Sequence, residues 1–316
     1  MNTSKEHITE WLKQLQDSIC ASLEAADGKS AFREEQWTRA EGGGGRSRVI
    51  EKGAVLEKGG VMFSAVSGET PEFLLKEQQH SNIVGAGTPG KHQSTFYATG
   101  VSIVLHPQSP MVPIIHMNIR YFETVLPDGR EVKWLGGGID LTPHYVDTND
   151  AKFFHQTLKS LCDKHHSDYY SKFKTWADDY FFIKHRNETR GIGGIFFDRL
   201  SESEAMSFEQ NLAFWKDVGT AFAPLYTELI RRHKNEAYTE ENKQWQLLRR
   251  GRYVEFNLVY DKGTKFGLET NGRIESILVS LPALASWVYN FPIMTGSAEE
   301  KTLQNLQKGI NWLSFE

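Results

Sequence analysis

The stretch from Gly100 to Glu123, GVSIVLHPQSPMVPIIHMNIRYFE, constrains this chain more than any other. It reads as two strands joined by a loop that contains prolines. Side chains along a strand alternate between its two faces. His116, Asn118, Arg120 and Phe122 therefore share one face of the second strand, and Ile115, Met117, Ile119 and Tyr121 share the other. In the first strand Ser102 and His106 lie on a face with Val104. One side of this hairpin is apolar enough to be sealed. The other presents a proton donor, an amide and a guanidinium in successive outward positions. That set suits an anionic ligand that also carries ring N–H groups.

The chain can seal such a sheet. Of its 316 residues 39% are hydrophobic and 12% aromatic, which argues for a packed core and against disorder. A formal net charge of −4 leaves no general footprint for nucleic acid, so affinity for an anion must come from local arginines. The two cysteines, Cys20 and Cys162, have neither metal nor redox spacing, and each falls in a helical pattern. No signal-peptide apolar region follows Met1, and no run approaches the roughly 20 apolar residues that span a bilayer. A reducing cytoplasm is expected.

Ile8, Leu12, Leu15, Ile19 and Leu23 mark an amphipathic first helix that ends near Asp27-Gly28. The run Gly42-Gly43-Gly44-Gly45 interrupts a hairpin pattern, either as a loose tip, the favoured reading, or as a close approach of backbone to ligand. Strands are expected around 47–52, 60–66, 95–105 and 112–124. Pro127-Asp128-Gly129 then turns the chain into another at 131–139. Helical patterns follow over 148–166, 168–185, 204–233 and 239–250. Arg252–Tyr260 reads as a strand, turning at Asp261-Lys262-Gly263 into 265–269, and a last helix covers 297–312. Strands first and helices after predict an α+β fold, a mainly antiparallel sheet covered by helices. With no repeat and no long linker, residues 1–316 form a single domain.

No dinucleotide, P-loop, zincin or nucleophile-elbow motif is present. Gly136-Gly137-Gly138 predicts a tight bend or bulge in its strand. His106, His116, His155 and His185 stand apart, none at i,i+4 spacing; they either converge on a metal or are four unrelated residues. His116 shares a face with Asn118 and Arg120, which suits proton transfer beside a bound anion. The charge-dense Lys184–Arg190 segment is read equally as ligand contact and as surface. In the late strand Glu255, Asn257 and Asp261 would share a face, opposite Val254, Phe256, Leu258 and Tyr260. Arg249, Arg250, Arg252 and Arg273 flank it, so Asp261 would stay ionised and accept several N–H donors.

Taken in order, these segments resemble the oxygen-dependent coproporphyrinogen III oxidases of haem biosynthesis. The resemblance rests on Gly100-Val101-Ser102 with His106-Pro107, on His116–Phe122 (HMNIRYF), on Trp134–Pro143 (WLGGGIDLTP) and on Lys184–Asp198 (KHRNETRGIGGIFFD). It continues with Arg250–Tyr260 (RGRYVEFNLVY) and Arg273–Leu278 (RIESIL), and spans nearly the whole chain. It implies an antiparallel sheet sandwiched by helices, a homodimer, and conversion of the ring A and B propionates of coproporphyrinogen III to vinyl groups. O2 is the co-substrate; CO2, hydrogen peroxide and protoporphyrinogen IX are the products. It implies substrate contacts at Ser102, Asn118, Ile119, Arg120, Asn271, Gly272 and Arg273, with His116 as proton donor and Asp261 collecting the pyrrole N–H groups. No redox cofactor is implied. In bacterial relatives the positions of His106, His116, His155 and His185 are associated with a divalent metal, manganese. The chain departs from the family in having Lys262 where Arg is common, and Asn271-Gly272 before Arg273 in place of a more glycine-rich run. A non-catalytic tetrapyrrole-binding module and a histidine-metal oxygenase or hydrolase stand as alternatives.

Overall fold

After one helix, six strands follow in succession and a seventh joins them from beyond two more helices, so most of the sheet precedes most of its cover. The computed structural model describes residues 4–70, 94–126, 129–269 and 272–315. Strands β1 (Arg33–Thr38), β2 (Gly43–Glu51), β3 (Leu56–Glu69), β4 (Thr95–Pro107), β5 (Ile114–Val125) and β6 (Glu131–Thr142) pair in chain order, each antiparallel to the last. β9 (Gly193–Leu200) closes the far edge against β6. Two short strands, β7 (Phe182–Ile183) and β8 (Glu188–Thr189), form a separate ribbon. The α+β expectation holds.

Alternation decides which way the sheet faces. Val61, Val101, Ile103, Leu105, Ile115, Met117, Ile119, Tyr121, Leu135, Ile139, Ile195 and Phe197 are all buried in one core. Helix α1 (Lys5–Asp27) lays Ile8, Leu12, Leu15, Ile19 and Leu23 on it. Ser4 caps its start, and Gly28, at φ 74°, ends it by returning its N–H to the Glu24 carbonyl at 2.9 Å. Helices α2 (Thr148–Asp163), α3 (Tyr169–Tyr180) and α4 (Phe208–His233) complete this side.

The other face is polar and is covered from later in the chain. Helix α5 (Glu240–Val259) seats Tyr253 against Val104 and Ile114. Two short helices, α6 (Lys262–Glu269) and α7 (Ile274–Leu278), follow it. Ser276 meets Ser47 at 2.9 Å, the Leu281 carbonyl accepts from Lys58 Nζ at 2.8 Å, and the Ser280 carbonyl from His106 Nε2 at 2.8 Å. The even-numbered face of the central strands and the 250–281 region therefore face each other, and the space between them is the candidate cleft.

Several expectations need correction. Arg252–Tyr260 is not a strand but the last turns of α5, which begins at a Thr239–Asn242 capping box and does not stop at residue 250. Its aromatic content suggested a strand, but on a helix Tyr253 and Phe256 share a face, and both are buried. The two-faced pattern read for Glu255, Asn257 and Asp261 does not exist, and 265–269 is helical. The 168–185 helix stops at Tyr180, and 297–312 holds only a short α8 (Ala298–Gln304) before a 3-10 turn at Trp312–Ser314. The glycine run is a tip only at Gly42, which sits in the β1–β2 turn at φ 126° with its N–H on the Arg39 carbonyl at 3.3 Å. Gly43–Gly45 pair within β2, and a Cβ on Gly45 would lie 2.3 Å from the Trp37 ring and 2.5 Å from the Phe63 carbonyl oxygen. Of the turn residues Pro127, Asp128 and Gly129, only Gly129 is described. It has φ 85° and sends its N–H to the Leu126 carbonyl at 2.9 Å.

Candidate active site

Register fixes the cleft's floor. One cross-strand row runs Glu35, Ser47, Met62, Ser102, Asn118, Gly138, Phe196. Beside it Gly100, Arg120 and Gly136 form a second row, and Val104, His116, Asp140 and Gly194 a third. Ser102, Asn118, Arg120 and His116 thus come together on one surface, as their spacing predicts. Ile119 does not present its side chain there: it is fully buried in the opposite core, and only its backbone borders the cleft.

His116 Nδ1 donates to Asp140 Oδ1 at 2.7 Å. Asp140 is 1% exposed and also receives Arg190, with Nη2 at 2.7 and 2.8 Å and Nε at 3.2 Å. Burial pushes the Asp140 carboxyl up, but Arg190 and the His116 hydrogen bond outweigh it and hold the group below the usual carboxylate range. Arg190 is itself sunk among Phe181, Tyr253 and Phe256, with ring centroids at 4.4, 4.7 and 4.7 Å, and its Nη1 donates to Asn257 Oδ1 at 3.0 Å. An ionised, fully committed Asp140 fixes the His116 tautomer and ring orientation. Nε2 is the nitrogen left for a ligand.

Arg120 reaches across β6 to Asp198 on β9, Nη2 to Oδ1 at 2.7 Å, while its Nη1 donates to Asn118 Oδ1 at 3.2 Å. The crossing is open because Gly136 has no side chain. A Cβ there would stand 2.7 Å from Asp198 Oδ1 and 3.0 Å from Arg120 Nε and Nη2. The pairing of β6 with β9 slips between Leu135 and Gly137, but the extra residue belongs to β9: Asp198 and Arg199 oppose Gly136, while Gly136–Gly138 pair in regular register with β5, so the bend or bulge expected in the glycine strand is displaced to its neighbour. Gly136→Ala is expected to shift the guanidinium rather than the fold, since the atoms it meets are side-chain ends. KM should rise roughly ten-fold, equivalent to one weakened charge-assisted hydrogen bond. Melting should stay within about 3 °C, and kinetics with a thermal melt on the same sample checks both.

On the cover, Asp261 caps α6: its Oδ2 accepts from Thr264 N at 2.7 Å. Its Oδ1 accepts from the Tyr180 hydroxyl at 2.9 Å. Tyr180 stacks on Phe196, centroids 4.2 Å apart, which sets this carboxylate near the floor's β9 edge. Tyr180 is kept protonated, because burial and the Asp261 charge both push its pKa up. Arg273 precedes α7, with Nη2 2.6 Å from Glu35 Oε1. Gly272 returns its N–H to the Gly267 carbonyl at 2.8 Å. Asn271 lies outside the described residues.

The four histidines do not gather. His155 sits in the core beyond the sheet, stacked near Trp312. Its Nε2 donates to the Ile192 carbonyl at 2.9 Å, and Nδ1 accepts from the Tyr170 hydroxyl at 3.0 Å. Burial drives its pKa down to about 3, and that of His106 likewise to about 3. His185 is on the surface between Tyr260 at 2.7 Å and Glu255 at 2.6 Å. His116 is committed to Asp140. As arranged, the set does not fit a shared ion, and no three His, Cys, Asp or Glu side chains converge among the described residues.

Asp140, Arg190 and Asp198 carry the site's charge network; residue types and spacing single out neither Asp140 nor Asp198, and mark Arg190 only as part of the Lys184–Arg190 segment. All three lie in the motifs quoted above. Parity gives a usable signal: counting back from the Gly129 turn places Asp140 opposite His116. Arg190 offers none, because its segment reads as a charged helix end. Of that segment only Arg190 enters the site, while His185 and Arg186 grip Glu255.

A family model described as coproporphyrinogen III oxidase matches residues 7–312. The oxygen-dependent coproporphyrinogen-III oxidase of Synechococcus sp. (strain CC9605) is 44% identical over 333 aligned positions, covering 98% of this chain and 88% of that relative. The protein of the same description from Parasynechococcus marenigrum (strain WH8102) is 45% identical over 322, covering 95% and 85%.

Proposed function

The chain belongs to the coproporphyrinogen III oxidase family, and on that premise we propose that it is an oxidoreductase of haem biosynthesis that converts the ring A and ring B propionates of coproporphyrinogen III to vinyl groups. Each turn takes one propionate, one O2 and one proton to one vinyl group, one CO2 and one H2O2. The family match along nearly the full chain carries this reading. An assay with and without air tests it: product mass should fall by two CO2 and four hydrogens only in air. Full conversion without O2, or none with it, overturns the assignment.

The residues supply what this stoichiometry asks for. Arg120 and Arg273 pair with substrate carboxylates, each as a charge-assisted hydrogen bond. Ser102, Asn118 and the Ile119 backbone border the same surface, with Gly272 beside Arg273; Asn271 is a contact that the family resemblance alone implies. Gly136 lets the Arg120 guanidinium cross the floor toward Asp198. Asp261 faces the ring N–H groups with lone pairs its two bonds leave unused. The electron-rich tetrapyrrole reduces O2, and a substrate peroxide removes the propionate β-hydrogen as CO2 leaves. His116 Nε2 delivers the proton each turn consumes, and Asp140 stabilises the imidazolium that precedes transfer. The protein adds orientation, electrostatics and exclusion of water.

The substrate supplies the electrons, so no redox metal or organic cofactor is required. A divalent ion such as manganese would need His155 and His185 to leave their present partners before joining His106 and His116. Metal-free protein, verified by elemental analysis, should keep near-full activity in chelator. Activity lost in chelator and restored by one metal per subunit would overturn this.

The protein acts as a homodimer in the cytoplasm. Leu258, Val259, Phe266, Leu268, Trp287 and Val288 are exposed on the end of α5 and the segments after it, apolar surface that a second copy of the chain would cover. The interface then takes in residues 252–260 at the end of α5 together with the segments after it. Sedimentation equilibrium should give twice the chain mass; a monomer at micromolar concentration would refute the dimer. Both cysteines are buried and unpaired, as suits a reducing compartment. Among the described residues no helix is long and apolar enough to cross a membrane.

A further inference from the structure

Arg273 already holds a carboxylate. Glu35 Oε1 lies 2.6 Å from its Nη2, and Glu35 occupies the β1 end of the row that continues through Ser102 and Asn118. It therefore sits on the cleft face of the sheet, at the cleft's outer margin, on an edge strand. The surrounding contacts are firm. Ser47, directly opposite Glu35, bonds Ser276 at 2.9 Å, and Trp37 Nε1 donates to the Ser47 hydroxyl at 3.2 Å.

The ion pair itself is not firm. The Glu35 side chain is 54% exposed. Arg273 Nε is buried and has no hydrogen-bond partner, so the guanidinium retains an unsatisfied donor. On the opposite face of the same edge strands Arg46 is held by Gln16, the Lys13 carbonyl and Asp17, and Arg48 by Asp17 and Glu34. Among the described residues Arg273 has Glu35 as its one acidic partner.

We propose that Glu35 is a displaceable counter-carboxylate: it occupies Arg273 in the free enzyme and yields it to a substrate carboxylate. This rests on the reading that Arg273 binds a propionate, and it deepens that reading. Binding then exchanges one carboxylate for another at a guanidinium that is never left bare. The exchange keeps Arg273 oriented and stops smaller anions from holding it tightly. Glu35 acts through Arg273 and touches no reacting atom, so it is a positioning residue. Its removal changes ground state and transition state equally, which places the effect in KM and not in kcat.

The test uses the intact protein. Glu35→Gln should lower KM for coproporphyrinogen III roughly two- to five-fold, the range of an exposed ion pair, with kcat unchanged. Glu35→Asp should stay close to wild type. Arg273→Ala should raise KM, and adding Glu35→Gln to it should do nothing more. Direct titration with coproporphyrin III, the oxidised macrocycle with the same four propionates, should show the same tightening in Glu35→Gln. An unchanged or raised KM in Glu35→Gln, or a gain that persists without Arg273, overturns the exchange. If wild type binds coproporphyrin III and the Glu35→Gln gain appears in titration while coproporphyrinogen III is not turned over, the reaction assignment fails and the exchange stands.

Discussion

Asp140→Asn is expected to destabilise the protein severely and to inactivate what remains folded. The substitution leaves the Arg190 guanidinium, 2% exposed among three aromatic rings, without its counter-charge. Removing one partner of a buried pair costs about 3–5 kcal/mol, a large share of a stability of roughly 5–15 kcal/mol. Asp140 has its carboxyl held below the ordinary range in the fold. Its contribution is therefore complete at neutral pH and is lost as pH falls through the folded-state pKa, so the cost of the substitution should shrink in strong acid. A second effect is separable. His116 loses the anion that fixes Nδ1–H and stabilises the imidazolium, so kcat should fall by roughly 100-fold or more. The double variant Asp140→Asn with Arg190→Gln removes both charges and should recover much of the melting temperature. It should recover none of the rate. Recovery of both would reduce the pair to a structural element, and a single variant as stable as wild type would refute the buried-charge argument.

What the sequence made legible follows from how local each signal is. Period-two alternation from residue 95 to 142 placed three of the seven strands, their buried face, and the convergence of Ser102, His116, Asn118 and Arg120. That pattern needs no knowledge of distant contacts. Helix α1 was equally plain, because its stripe and its Gly28 terminator lie within one segment. The region after residue 250 reads as a strand because Tyr253, Phe256 and Tyr260 favour one by composition, whereas the helix rests on distant packing: Tyr253 against Val104 and Ile114, and Phe256 against Ala177, Phe181 and Ile183. Gly45 and Gly136 show a different limit. Each is glycine because of a partner brought by pairing, Trp37 in one case and the Arg120–Asp198 crossing in the other. Spacing alone does not separate such a glycine from one in a loose turn. The histidines failed for the same reason: His155 lies on a helix behind the sheet, a placement that only the packing of α2 determines.

The structure also changes which variant best tests Asp261. Alanine removes a charge and a helix cap together, since Asp261 Oδ2 receives Thr264 N at the start of α6. Loss of such a cap costs about 1 kcal/mol on its own, enough to loosen a cover of only two turns. A rate lost in Asp261→Ala is therefore ambiguous. Asparagine is as good a cap as aspartate and still accepts the Tyr180 hydroxyl, so Asp261→Asn should fold and melt like wild type. It removes the charge that would draw several ring N–H donors to one point. A hydrogen bond to a charged group is worth about 1.5–3 kcal/mol, so losing the charge should lower kcat/KM by roughly ten- to a hundred-fold. Tyr180→Phe serves as the control. It deletes the other hydrogen bond to Asp261 Oδ1 while leaving the carboxylate charged, and it should cost far less than the asparagine. Asp261→Asn with most of the wild-type rate would make the residue a helix cap and nothing more. The N–H-collecting role would then pass to Asp198, a partly exposed acid on the floor beside Arg120, and Asp198→Asn would be the variant that loses turnover.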